Sequence, residues 1–377
     1  MIAHADECRA HRPPVGDSVI DRVRDIAAAE LRPLVGRIDE DGVYPLAILR
    51  SLGKAGAFAQ HHEGRGESRP VDLGLAIRAM SVVAQECLST AFCTWCQDAF
   101  GWYLQNTENA ALRSKLQDGA ASGAVLGGTG LSNPMKALSG IEALRLRARR
   151  VAGGFRVDGV LPWVSNIEDG HYFGVCFAAD NDEGRWVAAL ARLGAEGVSG
   201  RQATKFIALD ATATRAVTFD DAFISDDDIL ADPLAPFAAR IRPGFILLQT
   251  GMAAGLIRDS AALMRALPER TRETNAHLPI GPNEIEDRLG ALEETILALA
   301  ATPHDDSRDF LEKVLRARLE GSRLSLDASQ ALMLHAGARA YISGSAYSRR
   351  LRESYFIAIV TPATKHLLKD LAAGAAG

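Results

Sequence analysis

The hydrophobic residues of this 377-residue chain change period twice, and that change limits the possible folds more than any other feature. Over 18–29, Val19, Ile20, Val23 and Ile26 fall on one helical face with Asp21, Arg22, Arg24 and Asp25 opposite. A break is expected at Pro33, and a second helix over 45–55, opened by Pro45 and ended by Gly56. Helical spacing continues over 71–86, 90–105 and 112–118. Between about 121 and 229 apolar residues alternate instead, as strands require. From 245 the helical period returns, over 245–267, 285–301 and 307–334, with Pro268, Pro279, Pro282 and Pro303 in the intervening loops. The expected architecture is multidomain α and β: an N-terminal all-helical domain over 1–120, a β-domain over 121–232 and a C-terminal helical bundle over 233–377.

The segment 127–173 is the most informative part of the β region. Leu144, Leu146 and Ala148 alternate with Arg145, Arg147 and Arg149, and Phe155, Val157 and Gly159 alternate with Arg156 and Asp158. Gly153-Gly154 between the two runs is a hairpin signal. Trp163, Ser165 and Asn166 follow the second run, and Ser132, Asn133 and Pro134 close the first strand of the region in a similar way. Hydroxyls and amides at two strand ends, one beside a Trp, suit the clamping of a flat polar heterocycle. An ordinary hairpin with a core Trp and polar turns accounts for the same residues. Further strands are expected over 173–179 and 186–191, around the turn Asn181-Asp182-Glu183-Gly184, and over 214–224.

A resemblance bears on that choice. Ser132-Asn133-Pro134, Ser139-Gly140, the run from Gly154 to Pro162 and Trp163-Val164-Ser165-Asn166 resemble the flavin-binding strands of the acyl-CoA dehydrogenase family, with Ser132 and Ser165 in place of Thr. Independently, Asp39 to Pro45 followed by Leu52 to Gly56 is similar to the family's opening pattern, and 214–224 to its last barrel strand. The resemblance implies a middle β-barrel, a C-terminal four-helix bundle and an FAD, with FMN as the alternative, contacted by Gly130, Leu131, Ser132, Ser139, Trp163, Val164, Ser165 and Gly337. It also implies an acyl-CoA or acyl-carrier thioester substrate and a homo-oligomer, homotetramer or dimer, assembled through the bundle.

Arg349-Arg350-Leu351-Arg352-Glu353 resembles the family's R-x-x-R-D, and counting on from it places Thr361 where the catalytic Glu stands. A Thr hydroxyl is no base near neutral pH. The first bundle helix, the other family position, carries no carboxylate over 242–249, which leaves Glu353 as a substitute to weigh. Three functions follow: a dehydrogenase of acyl thioesters, an oxygen-using flavin monooxygenase served by His335 or His366, and a non-catalytic flavin-binding homologue.

Composition excludes more than it assigns. A net charge of -5 gives no field for nucleic acid or an anionic membrane, and no run of 18 apolar residues is present to span a bilayer. The polar N-terminus over 1–14 does not read as a secretory signal, and five scattered cysteines give no disulfide framework, so the cytoplasm is the expected compartment. Cys93-Thr94-Trp95-Cys96 lacks a second ligand pair and reads as a buried helical thiol pair. His61-His62-Glu63, in a polar Gly-containing stretch, reads as surface loop rather than a metal site.

Overall fold

The computed structural model describes residues 18–68, 70–180, 184–202 and 204–375. The polar N-terminus over 1–14 and the turn residues Asn181, Asp182 and Glu183 lie outside the described residues. The first helices are α1 (Val19–Ile26), α2 (Val35–Glu40), α3 (Leu46–Lys54), α4 (Leu73–Glu86), α5 (Leu88–Asn106) and α6 (Ala110–Ala121). The β region holds β1 (Gly127–Thr129), a short helix α7 (Ser132–Leu138), β2 (Leu146–Val151), β3 (Gly154–Val164), β4 (Tyr172–Ala179), β5 (Trp186–Arg192), β6 (Val198–Gln202), β7 (Arg215–Ser225) and β8 (Ile229–Ala231). The last helices are α8 (Leu234–Leu248), α9 (Thr250–Arg265), α10 (Arg272–Asn275), α11 (Pro282–Ala300), α12 (Arg308–Ala336), α13 (Ala346–Ile359) and α14 (Thr364–Ala375).

Local chemistry sets several helix starts. Asp72 accepts from Leu75 N–H (2.7 Å), and Asn109 from Leu112 N–H (3.0 Å), each satisfying a donor that the helix itself leaves unpaired. The start of α5 has no such cap from its own sequence. Leu88 N–H donates instead to Glu353 Oε1 on α13 (3.2 Å), a cap supplied from the far end of the chain.

The strands form one eight-stranded sheet in the order β6-β7-β3-β2-β4-β5-β8, with β1 parallel to β4. Phe173 on β4 and Phe219 on β7 are three strand spacings apart along that order, roughly 14 Å in a flat sheet. Their ring centroids are 6.2 Å apart, so the sheet curls around its own core. A second, larger core runs continuously through both sets of helices, from Val19 to Leu371. Gly251 brings α9 against α4: a Cβ there would fall 2.7 Å from the Ile77 carbonyl oxygen.

Three expectations need correction. Ser132, Asn133 and Pro134 do not close a strand; they open α7, whose first turn tolerates Pro, and the Asn133 side chain ties that turn to Arg145 N–H (2.9 Å) just ahead of β2. His61 and His62 are not on the surface. Both are fully buried under α5 at Gly101, where the missing side chain leaves room for the rings. The polar strand β6 and the helices α13 and α14 were outside the periodic segments; β6 is exposed along most of its length and so shows no alternation. Cys93 and Cys96 are buried free thiols within α5, as the spacing implied.

Candidate functional site

A cavity of about 550 Å³ opens where the end of the sheet meets α5, α8 and α13. Its sheet-side wall carries hydroxyls: Thr129 at the end of β1, Ser132 at the start of α7, Ser165 after β3, and Thr212 and Thr214 before β7. They bond to one another rather than standing alone. Ser165 Oγ lies 2.8 Å from Thr214 Oγ1, which lies 2.8 Å from Thr212 Oγ1, and Thr129 Oγ1 is 2.9 Å from the Tyr103 hydroxyl. Each hydroxyl in such a pair keeps acceptor capacity for a ligand. Trp163, 45 % exposed, stands on the rim with its ring 5.6 Å from Phe206 at 55°.

The helical wall is aromatic and aliphatic: Phe92 and Trp95 from α5, Phe245 from α8, and Phe356 and Ile359 from α13. Trp95 Nε1 donates to the Phe245 carbonyl (3.3 Å), so the one polar atom on this stack is paired. Thr361 sits between the two walls. Its Oγ1 is 2.9 Å from Ser132 Oγ, and its carbonyl accepts from Gln249 Nε2 (2.8 Å). Among the described lining residues the charged groups are Lys205 and Arg352, and none is a carboxylate. Arg352 is bound to Asp39 on α2 (2.5 Å), which raises its pKa further.

The structure brings together Ser132, Trp163, Ser165 and Thr361 at this cavity. Gly130 and Leu131 lie just behind it, where Gly130 N–H donates to the Gly174 carbonyl (2.8 Å) and Leu131 N–H to Thr129 Oγ1 (3.2 Å). Val164 is buried in the sheet core. Ser139 is held aside by Asp370 (3.0 Å), and Gly337 ends α12 with φ +60, outside the lining. His335 bonds the Ile280 carbonyl (2.9 Å) and His366 Nδ1 accepts from Ala363 N–H (3.2 Å); neither lines the cavity.

Glu353 also stands apart from the cavity. Besides capping α5 it accepts from Arg350 Nη1 (2.8 Å) and Arg349 Nη1 (3.2 Å), and it is 2 % exposed. Burial raises its pKa, the guanidinium groups of Arg349 and Arg350 lower it, and the net shift is downward. A carboxylate so held is a structural anion, not a base facing a substrate. Phe92, Trp95 and Phe245 lie in segments read as helical and look there like ordinary core aromatics, and the loop from Lys205 to Ala213 carried no periodic signal, which is why sequence reasoning passed over them.

No protein-family model matches the chain. The benzylmalonyl-CoA dehydrogenase of Aromatoleum aromaticum is 28% identical over 203 residues, 53% of this chain and 53% of that one, so the match spans about half the length of this curated relative. The solved butyryl-CoA dehydrogenase from Megasphaera elsdenii agrees with the whole architecture at a TM-score of 0.84 and 13% identity, covering 97% of this chain and 99% of that one. The fold is that of the acyl-CoA dehydrogenases. The same fold is also similar to KijD3 solved with FMN and dTDP-3-amino-2,3,6-trideoxy-4-keto-3-methyl-D-glucose, at TM-score 0.78 and 20% identity over 98% of this chain and 95% of that one. A dibenzothiophene monooxygenase from Paenibacillus sp. A11-2 follows at 0.79 and 16%, over 94% and 96% of the two chains. Among the described residues no group of three or more His, Cys, Asp or Glu is placed to hold a metal ion, and no helix is long and apolar enough to cross a membrane.

Proposed function

We propose that this chain is a flavin-dependent oxidoreductase acting on an acyl thioester, with one flavin per chain in the cavity at the sheet edge. The observation that carries the reading is the pairing of a hydroxyl-bearing wall (Thr129, Ser132, Ser165, Thr214) with an apolar aromatic wall across about 550 Å³, with Trp163 on the rim. That donor set fits an isoalloxazine, which is flat, apolar on its faces and polar along one edge. A bound flavin supplies hydride acceptance or, once reduced, reaction with oxygen. FAD is preferred over FMN on the family resemblance.

In this reading the hydroxyls orient the polar edge of the ring system, and Trp163 shields its outer side. Phe92, Trp95, Phe245 and Phe356 exclude water and receive the acyl group. Thr361 Oγ1 shares a hydrogen bond with Ser132 Oγ and positions whatever group lies between them. The absence of a carboxylate among the described lining residues favours a second reading, an oxygen-using flavin monooxygenase, because that chemistry does not start with removal of an α-proton by a base.

Anaerobic titration of the purified protein with an acyl-CoA panel tests the first reading, and bleaching of the flavin absorbance is the expected result. Consumption of oxygen only when NADH and a flavin reductase are supplied would move the assignment to the second reading. The double variant Trp163→Ala, Ser165→Ala should purify folded and without flavin; unchanged flavin content would remove the site assignment.

The division near 120 and 232, a cytoplasmic location and a homotetramer are proposed with it. Leu334, Ile342 and Tyr341, the last 91 % exposed near the end of α12, support an assembly face there. A monomeric mass by light scattering would exclude it.

A further inference from the structure

Arg318 on α12 is fully buried, yet its guanidinium meets no carboxylate among the described residues. Nε donates to Gln249 Oε1 (2.8 Å), Nη2 to the Ile357 carbonyl (2.6 Å) and Nη1 to Ser322 Oγ. Every acceptor is neutral. Burial pulls the pKa down to about 10, so the group remains a cation at neutral pH with its charge uncompensated. The hydrogen bonds lead to the cavity. Gln249, itself fully buried, passes the contact on through Nε2 to the Thr361 carbonyl (2.8 Å), and Thr361 forms part of the cavity wall. Ile357 lies on α13 two positions before the lining residue Ile359, so a second bond from Arg318 holds the same wall.

A buried cation normally acquires an acid, because an unpaired charge in a low-dielectric interior is costly. Here the hydrogen-bonded chain from Arg318 ends at Thr361 on the cavity wall, which also carries Lys205 and the Asp39-paired Arg352. We infer that Arg318 is a positioning residue that sets the Thr361 wall through Gln249 and makes the cavity prefer an anionic ligand to a neutral one of the same shape. The ligand class is an organic anion, such as a carboxylate or an enolate-like oxyanion, with its charge toward Thr361. The inference rests on this cavity being the ligand site, as the proposed function has it, but not on which flavin chemistry operates there.

Benzoate and benzamide are nearly equal in shape and differ in charge, which makes them a matched pair of probes. Their dissociation constants are measured on the full chain as purified, by ligand-observed NMR, with Thr361→Trp defining the part of the binding that lies in the cavity. Wild type should favour benzoate. Arg318→Met should reduce that preference about tenfold, the size expected for a charge at intermediate range and interior dielectric, and Arg318→Lys should restore most of it. Gln249→Glu keeps an acceptor for Arg318 while adding the missing negative charge, so it should abolish the preference even if Arg318→Met does not fold. A preference unchanged in Arg318→Met or Gln249→Glu, or equal weakening of both ligands, would reduce Arg318 to a structural role. Failure of wild type to bind either probe in the cavity would also overturn the inference, whereas the flavin reading stands or falls separately on flavin content.

Discussion

Two arginines of the C-terminal helices, Arg318 and Arg350, are equally buried and differently partnered. Arg350 donates to Asp259 (2.6 Å) and Glu353 (2.8 Å); burial alone would lower its pKa, but the two carboxylates leave it raised. Around it α13, α9 and the junction of α4 and α5 are locked together, since it also donates to the carbonyls of Ala84 (3.0 Å) and Gln85. Among the described residues Arg318 has only neutral acceptors. The difference teaches that the same residue serves stability where its charge is balanced inside the fold, and function where the balance is left to a ligand. A third buried cluster, His61, His62 and Asp98, belongs to neither class. His61 Nδ1 is 3.6 Å from Asp98 Oδ1, too far for a hydrogen bond, and both atoms lack a partner among the described residues.

The sharpest way to break the comparison is Glu353→Ala. It strips Arg350 of one carboxylate and α5 of its cap, so chemical denaturation should show a loss of about 3–5 kcal/mol, as for a buried pair broken on one side. Arg318→Met should cost less, about 1–3 kcal/mol in the same measurement, because it strands neutral acceptors and leaves no buried charge unpaired. Equal losses would erase the distinction.

Thr361→Glu sharpens the comparison from the other side by placing a carboxylate at the end of the Arg318–Gln249 relay. A positioned base contributes on the order of 10²–10⁴-fold. The variant should therefore reduce its flavin with an acyl-CoA at least about a hundredfold faster than wild type. A wild type that already reduces its flavin rapidly would show that a base reaches in from elsewhere, and stopped-flow absorbance distinguishes the cases.

Asp98→Asn gives the clearest pH signature. Burial holds the Asp98 carboxyl well above the usual carboxylate range, so the folded chain retains a proton that the unfolded chain releases above about pH 3.9. The Asp98 contribution to stability then falls as pH rises through the window between those values, against the opposite trend of the buried His61 and His62, and the Asn variant lacks only the Asp98 part. The variant should gain on wild type by on the order of 1 kcal/mol per pH unit there. Denaturation midpoints at pH 5 and pH 7 that shift in parallel for both proteins would mean that Asp98 ionises in the fold.

The two changes of hydrophobic period located the sheet and most of the helices, because alternation and helical spacing are local consequences of which face is buried, but the segment expected over 245–267 is two helices, Leu234–Leu248 and Thr250–Arg265, and α13 and α14 were missed. Ser132, Trp163 and Ser165 were singled out from short contiguous motifs and Thr361 by counting on from the family's pattern, and all four line the cavity. The helical wall was not legible, since Phe92, Trp95, Phe245 and Phe356 look like any core aromatics until α5, α8 and α13 converge. His61 and His62 were misread because a polar, glycine-containing segment suggests solvent, and only the space above Gly101 shows that the rings fold inward.

By itself, then, the sequence determined the helical–strand–helical order of the chain, the type of most elements and the apolar stripes that bury them, but not α7, β6, α13 or α14. Tertiary structure alone decided what each buried charge means. Glu353 caps a helix that starts 265 positions away in the chain, and Arg318 reaches Gln249 across 69 positions. The physical reason is that backbone periodicity is set by neighbours a few residues apart, whereas the cost of a buried charge depends on which distant groups the fold carries to within about 3 Å of it.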